Sequence, residues 1–75
     1  MDKTKSLDCT GLMCPMPVVK AKLELEEMKS GEVLEVVADD PGFEKDFPAW
    51  CKQTGNTFIE LEIENGVFKG YVMKK

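Results

Sequence analysis

The chain has 75 residues, 43% of them hydrophobic and 32% charged, a balance that builds one small globular domain over 1–75 and excludes a disordered chain. Ten lysines stand against 14 acidic residues for a net charge of −4, with no arginine anywhere, which argues against direct nucleic-acid binding. The apolar runs are too short to span a membrane, and the opening MDKTKS has no signal-peptide stretch, so the cytoplasm is the expected location.

In chain order, residues 5–9 (KSLDC) read as a strand that ends in a turn at Thr10–Gly11. A helix follows, with Val18, Ala21, Leu25 and Met28 at helical spacing and Val19 and Leu23 widening the apolar stripe. Lys20–Glu24 and Lys22–Glu26 form i,i+4 pairs on its outer side. Gly31 supplies a left-handed C-terminal residue, so the helix is predicted to stop near Lys29 or Ser30.

Residues 32–38 (EVLEVVA) form a second strand, and 39–42 (DDPG) carry turn chemistry. Phe43, Phe47, Trp50 and Thr54 then define a second amphipathic helix ended by Gly55. Pro48 would break a helix interior, so regular helix is predicted to begin near it after an irregular approach. Residues 58–64 alternate apolar and acidic side chains, Asn65–Gly66 is a hairpin signal, and residues 67–73 return. A two-residue turn pairs Glu64 with Val67, Ile63 with Phe68, Glu62 with Lys69, Leu61 with Gly70 and Ile59 with Val72. The Ile63, Leu61 and Ile59 pairs are predicted to face the core. Phe58, Tyr71 and Met73, with Val33 and Val37, would gather on the other face as an apolar patch, either a contact surface or cover for the tail. The order β-α-β-α-β-β predicts an α+β fold, a two-layer sandwich with both helices on one face of a mixed four-stranded sheet.

Chemistry concentrates in residues 7–17, LDCTGLMCPMP. The three cysteines are an odd number, which argues against a disulfide framework, and no histidine is present to activate a thiol or complete a metal site. Cys14 suits the N-cap of the first helix, with Pro15 at N1, Met16 at N2 and Pro17 at N3. The amides of Met16 and Val18 and the positive end of the helix dipole would then favour its thiolate, by about 0.3–1 kcal/mol. Asp8 and the net charge oppose ionisation. The competing reading makes Cys14 a small buried hydrophobe, but a residue before proline is held at the helix edge, a device a core cysteine does not need. Cys9 is expected to be half-buried packing and Cys51 to be core. The C-x4-C spacing of Cys9 and Cys14 lacks the tight knuckle of a zinc site. A regulatory Cys9–Cys14 disulfide stays open, requiring Cα atoms within about 7 Å.

LDCTGLMCPMPVV resembles the opening of the TusA/SirA-like sulfur-carrier family, in which a Leu-Asp-x-x-Gly-x-x-Cys-Pro-x-Pro pattern recurs. The similarity extends through Gly31–Glu32, residues 38–41 (ADDP), Phe47–Pro48 and the closing hairpin. The resemblance implies a two-layer sandwich and a sulfurtransferase-like carrier without multi-residue catalytic machinery and without a cofactor. Cys14 would accept sulfane sulfur as a persulfide from a cysteine desulfurase or rhodanese-like donor protein. It would pass that sulfur to an acceptor protein, in a relay such as tRNA thiolation or cofactor sulfur metabolism. Pro15, Met16, Pro17, Asp8 and Gly11 would shape the site, and Cys9, Asp39 and Asp40 would be secondary contributors. The alternatives are a small RNA-binding or regulatory interaction module, and a thiol–disulfide redox protein using Cys9 and Cys14.

Overall fold

A computed structural model describes residues 3–13 and 16–75. Its elements are β1 (Lys5–Asp8), α1 (Met16–Glu26), β2 (Val33–Ala38), α2 (Phe43–Thr54), β3 (Thr57–Glu64) and β4 (Val67–Met73). The sheet order is β1-β2-β4-β3, with β1 parallel to β2 and the other pairs antiparallel. Both helices pack on one face, where Leu34, Val36 and Ala38 alternate inward from β2 against Ala21, Leu25, Phe43, Phe47 and Cys51. This is the predicted α+β sandwich.

The first helix is shorter than predicted. It ends at Glu26 because the amides of Glu27 and Met28 reach only the carbonyls of Glu24 and Leu25, three residues back. Lys74 Nζ donates to the Leu25 carbonyl at 2.6 Å and closes that end. Gly31 serves the sheet instead of the helix: its N–H donates to the Lys74 carbonyl at 2.8 Å. Val19 and Leu23, expected in the core stripe, are 41% and 58% exposed. The buried side of α1 is narrower, built on Pro17, Ala21 and Leu25. Glu24 pairs across to Lys5 on β1.

The second helix is longer than predicted, starting at Phe43 with Pro48 inside it. Pro48 deletes only the bond to the carbonyl of Glu44, an exposed residue whose oxygen water can serve. In exchange, a helical first turn buries Phe43 and Phe47 together, their rings stacked at 4.8 Å. Two aromatic side chains driven into the core outweigh one backbone bond.

In the hairpin, Glu64↔Val67, Ile63↔Phe68, Glu62↔Lys69 and Leu61↔Gly70 pair as predicted. An irregularity between Phe58 and Glu60 then shifts the register, so Val72 meets Phe58 and not Ile59. The extra residue turns Phe58 to the helix side, where its ring meets Phe47 edge-on at 6.1 Å. Ile63, near the hairpin turn on the edge strand, is 52% exposed.

Phe58 thus leaves the expected patch on the open sheet face, where Val33, Val37, Tyr71 and Met73 share the face of Glu35. The centre of that face is polar. Glu35, 6% exposed, accepts hydrogen bonds from Lys3 Nζ (2.9 Å), Ser6 Oγ (2.8 Å) and Tyr71 Oη (2.7 Å). Tyr71 Oη also lies 3.2 Å from a Glu62 oxygen. Burial pushes the Glu35 carboxyl up, but the bonds from Tyr71, Lys3 and Ser6 outweigh it and hold it at about 2, against an ordinary 4.5. A depressed folded pKa stabilises the fold above the ordinary value, and that stabilisation drains away as pH falls toward about 2. Urea unfolding at about pH 5 and about pH 2 should show the native chain losing roughly 2 kcal/mol more than Glu35→Gln. Equal acid sensitivity of the two would remove Glu35 from this role.

Candidate functional site

Parallel pairing brings the ends of β1 and β2 to one edge of the sheet, and the antiparallel start of β4 joins them, with Asp8 opposite Val37 and Ala38 opposite Phe68. The loop into α1 and the loop into α2 both leave from this edge. It carries LDCTGLMCPMP.

Cys14 and Pro15 lie outside the described residues, so the expected N-cap and N1 positions are bracketed by their neighbours. On the approach side, four consecutive amides are committed. Cys9 N–H donates to the Val37 carbonyl (2.6 Å) and extends the ladder, while Leu12 N–H donates back to the Cys9 carbonyl (3.2 Å). Between them, Thr10 N–H and its hydroxyl both donate to Asp8 Oδ1, at 2.9 and 2.7 Å. Gly11 N–H donates to Asp39 Oδ1 at 3.0 Å. The backbone bond from Thr10, then its hydroxyl, holds the exposed Asp8 carboxyl below the usual range. Gly11 has φ +83°, a conformation glycine adopts without the Cβ penalty.

On the helix side, Pro17 is fully buried and anchors the first turn of α1 in the core. Met16 N–H donates to the Met13 carbonyl at 2.9 Å. That corrects the expectation that the Met16 amide serves the sulfur, since the Met13 carbonyl already takes it. Met13 is 76% exposed and Met16 42%. With Val19 and Leu23 they make an apolar ridge on the side of α1 away from the sheet. The Met16, Val19, Leu23 spacing of i, i+3, i+7 was legible in the sequence. It marks a second face, which the core reading absorbed.

The other thiols are enclosed. Cys9, expected to be half-buried, is wholly buried, and burial pushes its thiol up, against a weaker pull from Lys20. Cys51 is equally buried and pushed up to about 12. Both are poor nucleophiles. Asp39 and Asp40 follow β2 at the same edge of the sheet; Asp39 accepts from the Gly11 amide, and the Asp40 carbonyl accepts the first amide of α2. The Asp39–Gly11 link, 28 residues apart in sequence, had no local signal to reveal it. A hollow of about 220 Å³ between Leu25, Trp50, Lys74 and Lys75 lies at the opposite end of the helices. No helix among the described residues is long and apolar enough to cross a membrane.

Two helices on one face of a β1-β2-β4-β3 sheet, with the committed loop at the strand ends, define an α+β sandwich of the SirA-like type. A SirA-like protein from Desulfitobacterium hafniense has this fold, with a TM-score of 0.79 at 28% identity over 92% of this chain and 95% of its own. The family described as "Sulfurtransferase TusA" matches residues 5–74, and the chain belongs to that family. It is 49% identical over 99% of its length to the sulfur carrier protein TusA of Allochromatium vinosum, covering 96% of that protein. A putative sulfur carrier protein of Neisseria meningitidis is 43% identical over 96% of this chain and 97% of its own.

Proposed function

We propose that this protein carries sulfane sulfur as a persulfide on Cys14, taking it from a donor protein and delivering it to an acceptor protein in the cytoplasm. The observation that supports this reading is the contrast among thiols: Cys9 and Cys51 are sealed in the core, while the residues flanking Cys14, Met13 and Met16, are exposed beside a rigid loop. In loading, the Cys14 thiolate attacks the outer sulfur of the donor persulfide; a new S–S bond forms, the donor's S–S bond breaks, and the donor cysteine leaves as thiolate. Delivery is the same displacement with roles exchanged, so no external oxidant or reductant is needed. Such a step needs an accessible thiolate and a docked partner more than a set of acid–base residues.

The test is to mix the reduced protein with a cysteine desulfurase and cysteine and to weigh it intact. A sulfur adduct that peptide mapping assigns to residue 14 supports the reading. An adduct mapped elsewhere, or none with desulfurase, rhodanese or inorganic polysulfide, overturns it.

The ridge of Met13, Met16, Val19 and Leu23 is the face for protein partners, apolar and adjoining the thiol. Val19→Asp should cut loading from a protein donor about tenfold, the effect of one interface anchor. Loading from inorganic polysulfide should stay within about twofold, because no docking is involved. Equal effects on both would show that Val19 acts on the thiol and not on docking. RNA recognition finds no support on the open sheet face, where Glu60, Glu62 and Glu64 form an acidic row along β3.

A further inference from the structure

We infer that Asp39 is a positioning residue for the sulfur site, holding the loop that leads to Cys14 through the amide of Gly11, and acting as a hydrogen-bond acceptor and not as a charge. The inference rests on the sulfur-carrier reading of Cys14. Of the four amide bonds that fix residues 9–12, three are main-chain or lie within two residues of their donor: Cys9 to Val37, Thr10 to Asp8, and Leu12 to Cys9. The Gly11–Asp39 bond alone among these four is made by a side chain from another strand's end.

Its placement has a physical reason. Gly11 sits at φ +83°, and a Cβ built there would meet nothing within 4 Å. Side-chain packing therefore does not hold this residue; locally only the Leu12–Cys9 bond closes the turn around it, and glycine is the residue with most freedom to leave its conformation. The bond from Asp39 adds a restraint from outside the loop. Asp39 is the first residue after β2, so its position follows from the sheet, and its 3.0 Å bond ties the loop to the sheet two residues beyond the Cys9–Val37 bond. Only Leu12 and Met13 separate Gly11 from Cys14. On the N-cap reading of Cys14, a loop released at Gly11 would weaken the hold of the helix dipole on the thiolate.

Asp39→Asn and Asp39→Ala separate the two ways a carboxylate could act. Both remove the charge, but only asparagine keeps an oxygen that can accept the Gly11 N–H. Loading from inorganic polysulfide should fall about tenfold in Asp39→Ala, and Asp39→Asn should stay within about twofold of the native chain. Cys14 alkylation against pH should give a higher apparent thiol pKa for Asp39→Ala than for Asp39→Asn, with measurements made well below both unfolding midpoints. Gly11 amide exchange should be faster in the alanine variant alone. Alanine and asparagine variants that behave alike in loading, alkylation and exchange would overturn the inference, because the shared loss of charge would then account for everything. If the native protein loads no sulfur while the alkylation and exchange contrasts persist, the positioning role stands and the carrier reading falls.

Discussion

Replacing Cys14 with alanine should reduce sulfur loading to background, while Cys9→Ala and Cys51→Ala load as the native chain does. The expectation follows from enclosure and ionisation. Cys9 and Cys51 show no exposed surface, and burial raises both thiols, Cys51 to about 12. At neutral pH their thiolate populations are negligible, and a donor persulfide cannot approach them without opening the core. Alanine is the right replacement, because a serine hydroxyl in either buried site would cost about 1–3 kcal/mol unless bonded and would confuse loss of fold with loss of function. Intact mass after exposure to polysulfide reads the result. Loading that survives Cys14→Ala, or disappears with Cys9→Ala in a folded protein, would move the sulfur site and make the Cys9–Cys14 redox reading the one to pursue.

Gly70→Ala is expected to be the most damaging small substitution in the sheet. A Cβ at Gly70 would lie 2.6 and 2.7 Å from two ring carbons of Phe47, well inside van der Waals contact. The ring has nowhere to go: it is stacked on Phe43 at 4.8 Å, tilted against Trp50 at 5.8 Å and edge-on to Phe58 at 6.1 Å. Overpacking of this kind costs about 1–3 kcal/mol, with the upper end expected where the neighbour is locked. For a domain of this size roughly 3 kcal/mol lowers the melting temperature by about 12–24 °C. Phe47→Leu in the same chain should recover part of the loss, giving a coupling that a double-mutant cycle measures. A Gly70→Ala protein within about 0.5 kcal/mol of the native chain would show that α2 can lift away from β4, contrary to the packing described.

These two predictions fall on opposite sides of what sequence could reveal. Cys14 was visible as a candidate because proline on its C-terminal side and the odd count of thiols are local features. Gly70 was visible only as the partner of Leu61. Its need for a missing side chain comes from Phe47, on another element, pressing against the strand. The second helix shows the same division. Its apolar spacing was readable, but Pro48 argued for a later start, and only the burial of Phe43 with Phe47 reveals why the first turn forms regardless. On α1, the apolar stripe was wide enough to take in Val19 and Leu23, which the fold leaves exposed, because helical periodicity locates faces without saying which one meets the sheet.

Sequence alone determined the element order, the hairpin turn and its first four pairs, the class of fold and the motif on which the functional reading rests. Each depends on interactions within a few residues or on a repeating period, so the information is present in the order of side chains. Tertiary structure decided the register beyond Phe58, the polar centre of the open face around Glu35, and the grip of Asp39 on Gly11. The last two are contacts between residues 28 or more apart, and the first follows from the packing of Phe58 on Phe47 of another element. No local pattern encodes such a contact, because its energy exists only once the strands and helices have placed both partners.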